Sequence, residues 1–337
     1  MTDHALRIGI VGAGGIVRSR HLPNFAAIDG VSVDAVANST RASGERAAAE
    51  LGIPRVRDTW RDLVLDPELD AVLVGTWPDQ HAPVTIAALE AGKHVLLQAR
   101  IARDATEARA IAAAAAARPD LATMVAPAPF TLWADQCIRR LLADGEIGAL
   151  RLVRVFSGGG DGPLRPGPAW RRDRRRSGSN VLTLGIMYEQ LARWVGHALS
   201  VQASEAIVDP VTDGGPADVP DLLSVIAELP GHARLTMDLS PHARFGGSNT
   251  VHLFGAEGTL VVDLDRQQLL LRREGQDEQV VTPRPDEHGE WRVEAEFVGA
   301  VRGTEQVRLT DVPTAVRYME FTDAVRRSAA EGRRIGL

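Results

Sequence analysis

The chain has one cysteine, Cys137, and one lysine, Lys93, in 337 residues. A lone cysteine excludes a disulfide framework and any zinc site built on thiolates. The near absence of lysine in an arginine-rich chain reads as a coding bias with a chemical consequence. A guanidinium does not give up its proton near neutral pH, so arginine cannot replace lysine as a general acid or base. No apolar run approaches the ~20 residues that a membrane helix needs. The opening MTDHALRIGIVGAGG carries no basic segment ahead of an apolar one, so no signal peptide is read and a cytoplasmic location is expected. The net charge of −6 lacks the basic footprint of a nucleic-acid binder. What is present is an ordinary globular balance, 45% hydrophobic and 24% charged, at a length that suits two domains.

Leu6–Val11 is an apolar, β-branched run and reads as a buried strand. Gly12, Gly14 and Gly15 follow at once, then a helix over Ile16–Ala27 that Pro23 breaks in part. Further strands are read at Val31–Ala37, Ala71–Gly75, His94–Leu97 and Leu121–Ala126. Helices are read at Arg41–Leu51, His81–Ala91 and Ala105–Arg118. Strands alternating with helices imply a parallel sheet covered on both faces. The glycines sit where a dinucleotide fold needs them, Gly12 for the tight turn and Gly14 for backbone approach to a pyrophosphate at a helix N-terminus. The third glycine position is Val17, a departure. At the end of the second strand, where an acid would hold the ribose of NAD, the chain has Asn38-Ser39-Thr40-Arg41. Hydroxyls and a guanidinium there favour NADP over NAD.

The layout resembles the Gfo/Idh/MocA family of oxidoreductases. The matching stretches are IGIVGAGGIVRSRHLP at Ile8–Pro23, GTWPDQH at Gly75–His81, ALEAGKHVL at Ala88–Leu96, LLADGEIGALRLVRV at Leu141–Val155 and LFGAEGTLVVD at Leu253–Asp263. The resemblance implies an α/β architecture: a Rossmann dinucleotide-binding domain at 1–126, then an α/β domain with an open, mainly antiparallel sheet at 127–337. Strands at Ala149–Phe156, Val201–Val208, Leu222–Glu228, Ala233–Leu239, Thr250–Phe254, Thr259–Asp263 and Gln268–Arg272 support it, with closing helices at Glu294–Val301 and Ala315–Ala330. The last helix is allowed to pack back on the first domain. An open sheet must cover its exposed face, so a homodimer or homotetramer through it is expected.

The same resemblance exposes what is missing. A Glu-Lys-Pro tripeptide normally follows the GKHVL strand, its lysine near the substrate hydroxyl; here the segment is Gln98-Ala99-Arg100. The usual aspartate and histidine positions of the second domain hold Thr183 and Met187, and a further acidic position holds Gln190. Thr183, Met187 and Gln190 are spaced to share one helix face, and none of them titrates near neutrality. Hydride exchange with an alcohol needs a proton acceptor or donor beside it. Arg100, acting electrostatically, and Tyr188, if its pKa were depressed, are the catalytic candidates, with Glu189 and His81 as titratable neighbours.

Gly12, Gly14, Gly15, Ile16, Asn38, Ser39, Arg41, Trp77, Pro78, His81 and Gln98 are the expected cofactor residues, and Trp170, Arg171, Asn180, Thr183 and Gln190 the expected substrate residues. The run Trp170–Arg176 suits a sugar face and an acidic group, such as a uronate or sugar phosphate, or it is a solvated basic loop. Ser157–Gly162 is glycine-rich and open to a lid role. The remaining histidines, His252 among them, are read at strand ends and loops without metal-ligand spacing, and no metal is expected. The expected activity is NAD(P)-dependent hydride transfer with a sugar, polyol or related cyclic alcohol. The alternatives are a catalytically silent sensor or partner subunit, and an elimination through transient oxidation.

Overall fold

The computed structural model describes residues 5–159, 169–212 and 214–337. Gly160, Asp161 and Gly162 of the glycine-rich loop lie outside the described residues. The chain forms two compact units, one of Met1–Pro127 with Arg292–Val316, the other of Ala128–Trp291 with Arg317–Leu337.

The first unit holds strands β1 (Leu6–Val11), β2 (Val31–Ala37), β3 (Arg55–Val56), β4 (Ala71–Val74), β5 (His94–Leu97) and β6 (Thr123–Val125). They make a parallel sheet in the order β3-β2-β1-β4-β5-β6. Ile8, Ile10, Leu73, Val74, Leu96 and Leu97 are fully buried, as a sheet covered on both faces requires. The strand order reverses between β1 and β4, and the crevice beyond the strand ends at such a switch point is where this architecture takes ligands.

The helices of this part are α1 (Leu22–Ala26), α2 (Arg41–Leu51), α3 (Trp60–Val64), α4 (Pro78–Glu90) and α5 (Ala105–Ala116). Thr40 and Ser43 form a reciprocal cap on α2, and Gly52, left-handed at φ +69°, ends it. The helix expected over Ile16–Ala27 is two pieces. A π-helical turn at Val17–His21 precedes α1, and Pro23 sits in the first turn of α1, where its missing N–H costs nothing.

The second unit opens with α6 (Asp135–Ala143), β7 (Leu150–Ser157), α7 (Arg174–Ser177), α8 (Leu184–Val195), β8 (Ser200–Ala206) and a small pair, β9 (Val211–Thr212) with β10 (Gly215–Pro216). Then come β11 (Leu222–Glu228), β12 (Arg234–Leu239), β13 (Thr250–Gly255), β14 (Gly258–Asp263), β15 (Gln268–Arg273) and β16 (Gln279–Val281). Helix α9 (Val293–Arg302), read from the sequence as part of the second domain, lies in the first unit. Helix α10 (Val312–Glu331) contains the division between units, and β17 (Ile335–Gly336) ends the chain.

The nine strands of the larger sheet run β16-β15-β14-β13-β7-β12-β11-β8-β17, all neighbours antiparallel except β12 with β7. Burial alternates along β11 and β12. Leu223, Val225, Leu235 and Met237 point into the core, while Ile226 stays 55% exposed on the other side. Among the described residues no helix is long and apolar enough to cross a membrane.

Candidate functional site

The loop after β1 is shaped by contacts that only glycine permits. Gly12 has φ +89°, and a Cβ there would lie 2.8 Å from Thr76 Cγ2 and 2.9 Å from Thr76 N. A Cβ on Gly75 would lie 2.4 Å from Val17 Cγ2 and 2.6 Å from Gly12 O. Val17, standing where the fingerprint has its third glycine, is thus seated against Gly75 and is fully buried. Gly14 and Gly15 have the opposite character. A Cβ on Gly14 would meet nothing nearer than Gly75 O at 3.8 Å, and one on Gly15 nothing within 4 Å. The first helical bond runs from Arg18 N to Gly14 O. The amides just before Arg18 therefore open the helix, where an anion is favoured. A dinucleotide pyrophosphate fits this open backbone.

Asn38 braces the loop. Its Oδ1 accepts from Ala13 N at 2.9 Å and its Nδ2 donates to Ser43 O at 3.0 Å. Ser39 and Arg41 are exposed. Arg41 pairs with Glu45 and Asp58, whose hydrogen bonds raise its already high pKa. Trp77, 39% exposed, precedes α4, and Pro78 is its first residue.

His81 is buried, with Nδ1 2.9 Å from Arg100 O and Nε2 3.1 Å from Thr76 O. Burial, the largest influence, lowers its pKa below the usual imidazole value. The ring links the loops after β4 and β5, and a neutral imidazole can donate to only one of its two carbonyls. Arg100 is buried at 4% exposure and follows Ala99 through a cis peptide.

Gln98 belongs to a buried chain that the sequence did not disclose. Its Nε2 donates to Nε2 of His21, and His21 Nδ1 pairs with Glu294 Oε1. Glu294 Oε2 accepts from Asn24 Nδ2 at 2.9 Å. His21 is fully buried and Glu294 nearly so. The π turn delivers His21, and α9 returns to the first unit with Glu294. His21 lies inside the stretch Ile8–Pro23 that carried the family resemblance, but Glu294 is 270 residues from Asn24 and no local signal marks it.

In the second unit Thr183 precedes α8, so Thr183, Met187 and Gln190 do share a helix face. Met187 and Gln190 are buried. Gln190 Nε2 meets Met187 Sδ at 3.4 Å, while no described protein donor reaches its Oε1. Asn180 is buried in a local turn, its Nδ2 donating to Ser177 O at 2.7 Å.

Tyr188 does not meet the condition set for it as an acid. Its ring stacks on Phe321 at 3.6 Å, its hydroxyl accepts from Ala198 N at 2.9 Å, and burial pushes the phenol up to about 12 rather than down. Glu189 is also committed. It accepts from Ala128 N and from Arg193 at 3.0 Å, and Arg193 in turn holds Asp135 at 3.0 Å.

The arginine run is mostly paired. Arg172 binds Asp221, Arg174 the carbonyl of Asp218, and Arg175 and Arg176 both face Asp173. Arg171 differs: its guanidinium lies 4.5 Å over the Trp170 ring, with no carboxylate partner among the described residues.

Two further groups bear on chemistry. Lys93 Nζ donates to Asp66 O and Leu69 O at 2.8 and 2.6 Å, which commits the lone lysine to the start of β5. Asp209, Asp221 and His242 cluster closely enough to suggest a metal. Asp221 is already filled, however, by Val208 N, Asp209 N, His242 and the Arg172 guanidinium. Burial would raise its carboxyl, but those donors hold it below the usual range. A cation would have to displace a guanidinium, so the cluster is an ion-pair hub.

Comparisons with known proteins agree with this geometry. Residues 6–126 match the family model described as oxidoreductase family, NAD-binding Rossmann fold, and residues 136–261 match the GFO/IDH/MocA C-terminal domain. The chain is 30% identical to trans-1,2-dihydrobenzene-1,2-diol dehydrogenase of Bos taurus over 75% of this chain and 73% of that protein. It is also 30% identical to dTDP-3,4-didehydro-2,6-dideoxy-alpha-D-glucose 3-reductase of Streptomyces violaceoruber, over 97% and 96% of the two chains. A solved levoglucosan dehydrogenase in complex with NADH and levoglucosan superposes with a TM-score of 0.84 at 22% identity, covering 98% of this chain and 99% of that one. The chain belongs to the Gfo/Idh/MocA oxidoreductase family, with an NAD-binding Rossmann domain and a mixed, mostly antiparallel second sheet.

Proposed function

We propose that the chain is an NAD(P)-dependent oxidoreductase that exchanges hydride with a sugar, a polyol or a related cyclic alcohol. The observation that carries the proposal is the glycine loop, tight at Gly12 and Gly75 and open at Gly14 and Gly15. The bound nicotinamide would supply the hydride chemistry. Gly12, Gly14, Gly15, Ile16, Asn38, Ser39, Arg41, Trp77, Pro78, His81 and Gln98 form the cofactor set. NADP is the favoured form, because no carboxylate stands at 38–41 to accept from a ribose hydroxyl. Arg41 would exchange two exposed carboxylates for a phosphate, and exposed pairs hold weakly.

Trp170, Arg171, Asn180, Thr183 and Gln190 form the substrate set. The Gln190 carbonyl, to which no described residue donates, is suited to accept a substrate hydroxyl, and Arg171 over Trp170 suits an acidic sugar. Arg100 remains the electrostatic candidate for the reacting oxygen. The reading extends to a cytoplasmic homodimer or homotetramer joined through the second sheet, whose outer face exposes Ile226 and Val280.

One observation favours a second reading, a silent sensor of the same ligands. Ala99, Thr183, Met187 and Gln190 leave the usual proton-carrying positions without a titratable group. A turnover screen of sugars, polyols and uronates with NADP+ separates the two. Turnover with a flat rate profile through neutral pH is expected for an arginine-assisted site. Cofactor binding without turnover of any of them would overturn the enzyme reading in favour of the sensor.

A further inference from the structure

Away from the cofactor and substrate residues, the outer face of the second sheet carries a cavity of about 480 Å³. Arg154 and Phe156 of β7, Thr250 and His252 of β13, and Ala243, Arg244, Gly246 and Ser248 line it. Residues 153, 155, 251 and 253 on the same strands are buried in the core, so the alternation of the strands puts the lining on the opposite side. His252, expected at a strand end, stands within β13 directly across from Arg154. A guanidinium and an imidazole set opposite each other is a pairing that sheets disfavour when both are charged. Neither makes a hydrogen bond or ion pair with a described residue, and among the described residues no carboxylate lines the cavity.

Phe156, two residues along β7 from Arg154 and on the same face, adds an aromatic ring to the lining. A Cβ on Gly158 would lie 2.8 Å, and one on Gly246 2.7 Å, from Phe156 Cζ. Only glycines at both places let the ring seat there. The cavity therefore combines two guanidinium groups, an imidazole, the hydroxyl of Thr250 and one aromatic face.

We propose that this cavity binds a small oxyanion of the phosphate-monoester class, held by Arg154, Arg244 and His252, with its organic part against Phe156. A guanidinium recognises phosphate through charge-assisted hydrogen bonds, and an anion set between Arg154 and His252 would be bridged by them. Burial lowers the His252 pKa first, with Arg154 and Arg272 adding to it, so the imidazole meets the anion as a neutral hydrogen-bond donor. Two-fold pairing of this sheet face would bring two such cavities toward each other, a repulsion that bound anions offset.

The test is calorimetric titration of the full chain with inorganic phosphate and with phenyl phosphate, against chloride at matched ionic strength. Saturable binding is expected, tighter for phenyl phosphate, and about tenfold weaker in Arg154→Gln, the loss of one charge-assisted bond. His252→Gln should weaken it in the same direction, with circular dichroism showing both variants folded. Phosphate held instead at the glycine loop of the first unit would be indifferent to Arg154→Gln, and that result overturns the proposal. So does a change in sedimentation of the variants without any phosphate effect, which would make the cavity a contact between copies.

Discussion

At the scale of single residues, the contact between Gly75 and Val17 explains how the fold tolerates the missing third glycine. The fingerprint glycine serves close helix–strand packing, and here the small residue stands on the strand side of the contact. Gly75→Ala would press a methyl group against Val17 and the Gly12 carbonyl. It should cost about 1–3 kcal/mol in urea unfolding, the usual range for overpacking. Adding Val17→Ala should recover only part, because the clash with Gly12 O is with backbone. Tyr188 gives a prediction in pH. Its folded pKa of about 12 lies above the unfolded value of 10.0. Its neutral form is therefore favoured by folding; that stability is present below pH 10 and is lost as pH rises through about 12. Alkaline melts of Tyr188→Phe should lack that component of the decline. The residue scale is also where sequence reading did least well. The sequence says that Tyr188 and Glu189 are titratable, but only the packing shows both committed to Ala198, Phe321, Ala128 and Arg193.

At the scale of elements, legibility followed local signals. The strand His94–Leu97 and the helix Arg41–Leu51 were readable to the residue, the first as a continuous apolar run, the second because Thr40 caps it and Gly52 stops it. The two-residue β3 and the short α3 carry too little pattern to read. Helix α6 begins at Asp135, and Ala134 before it offers no side-chain cap, so no start signal announces it. The π turn at Val17–His21 was hidden because a π turn and an α turn look alike in composition. The largest gap is α9. Its sequence is plainly helical, but its place in the first unit shows in Glu294 meeting His21 and Arg302 meeting the Asp29 carbonyl, pairings no local pattern encodes. Glu294→Ala leaves the buried imidazole without its carboxylate. It should destabilise by about 1–3 kcal/mol, the range for leaving a buried hydrogen-bonding group without its partner. The check is denaturant unfolding with an NADPH titration at a temperature where the variant is still folded. Weakened cofactor binding there would show that the chain from Glu294 through His21 sets the Gln98 amide.

At the scale of the whole molecule, composition and element order were enough for the α/β class and the parallel first sheet, because hydrophobic period and turn residues act over short distances; the mostly antiparallel second sheet came from the family resemblance, with the strand pattern in support. The candidate site was legible as positions but not as chemistry. The family's proton-carrying positions were found through the family resemblance, and the side chains occupying them do not titrate near neutrality. The proposed cofactor site is the crevice of the first unit, with the glycine loop, Asn38 and the chain behind Gln98. The most direct measurement is titration of the purified protein with NADPH and with NADH, followed by nicotinamide fluorescence. The account predicts saturable binding of both, with NADPH the tighter and its advantage lost in Arg41→Ala. Binding of neither would contradict it, leaving the family's fold without the family's cofactor.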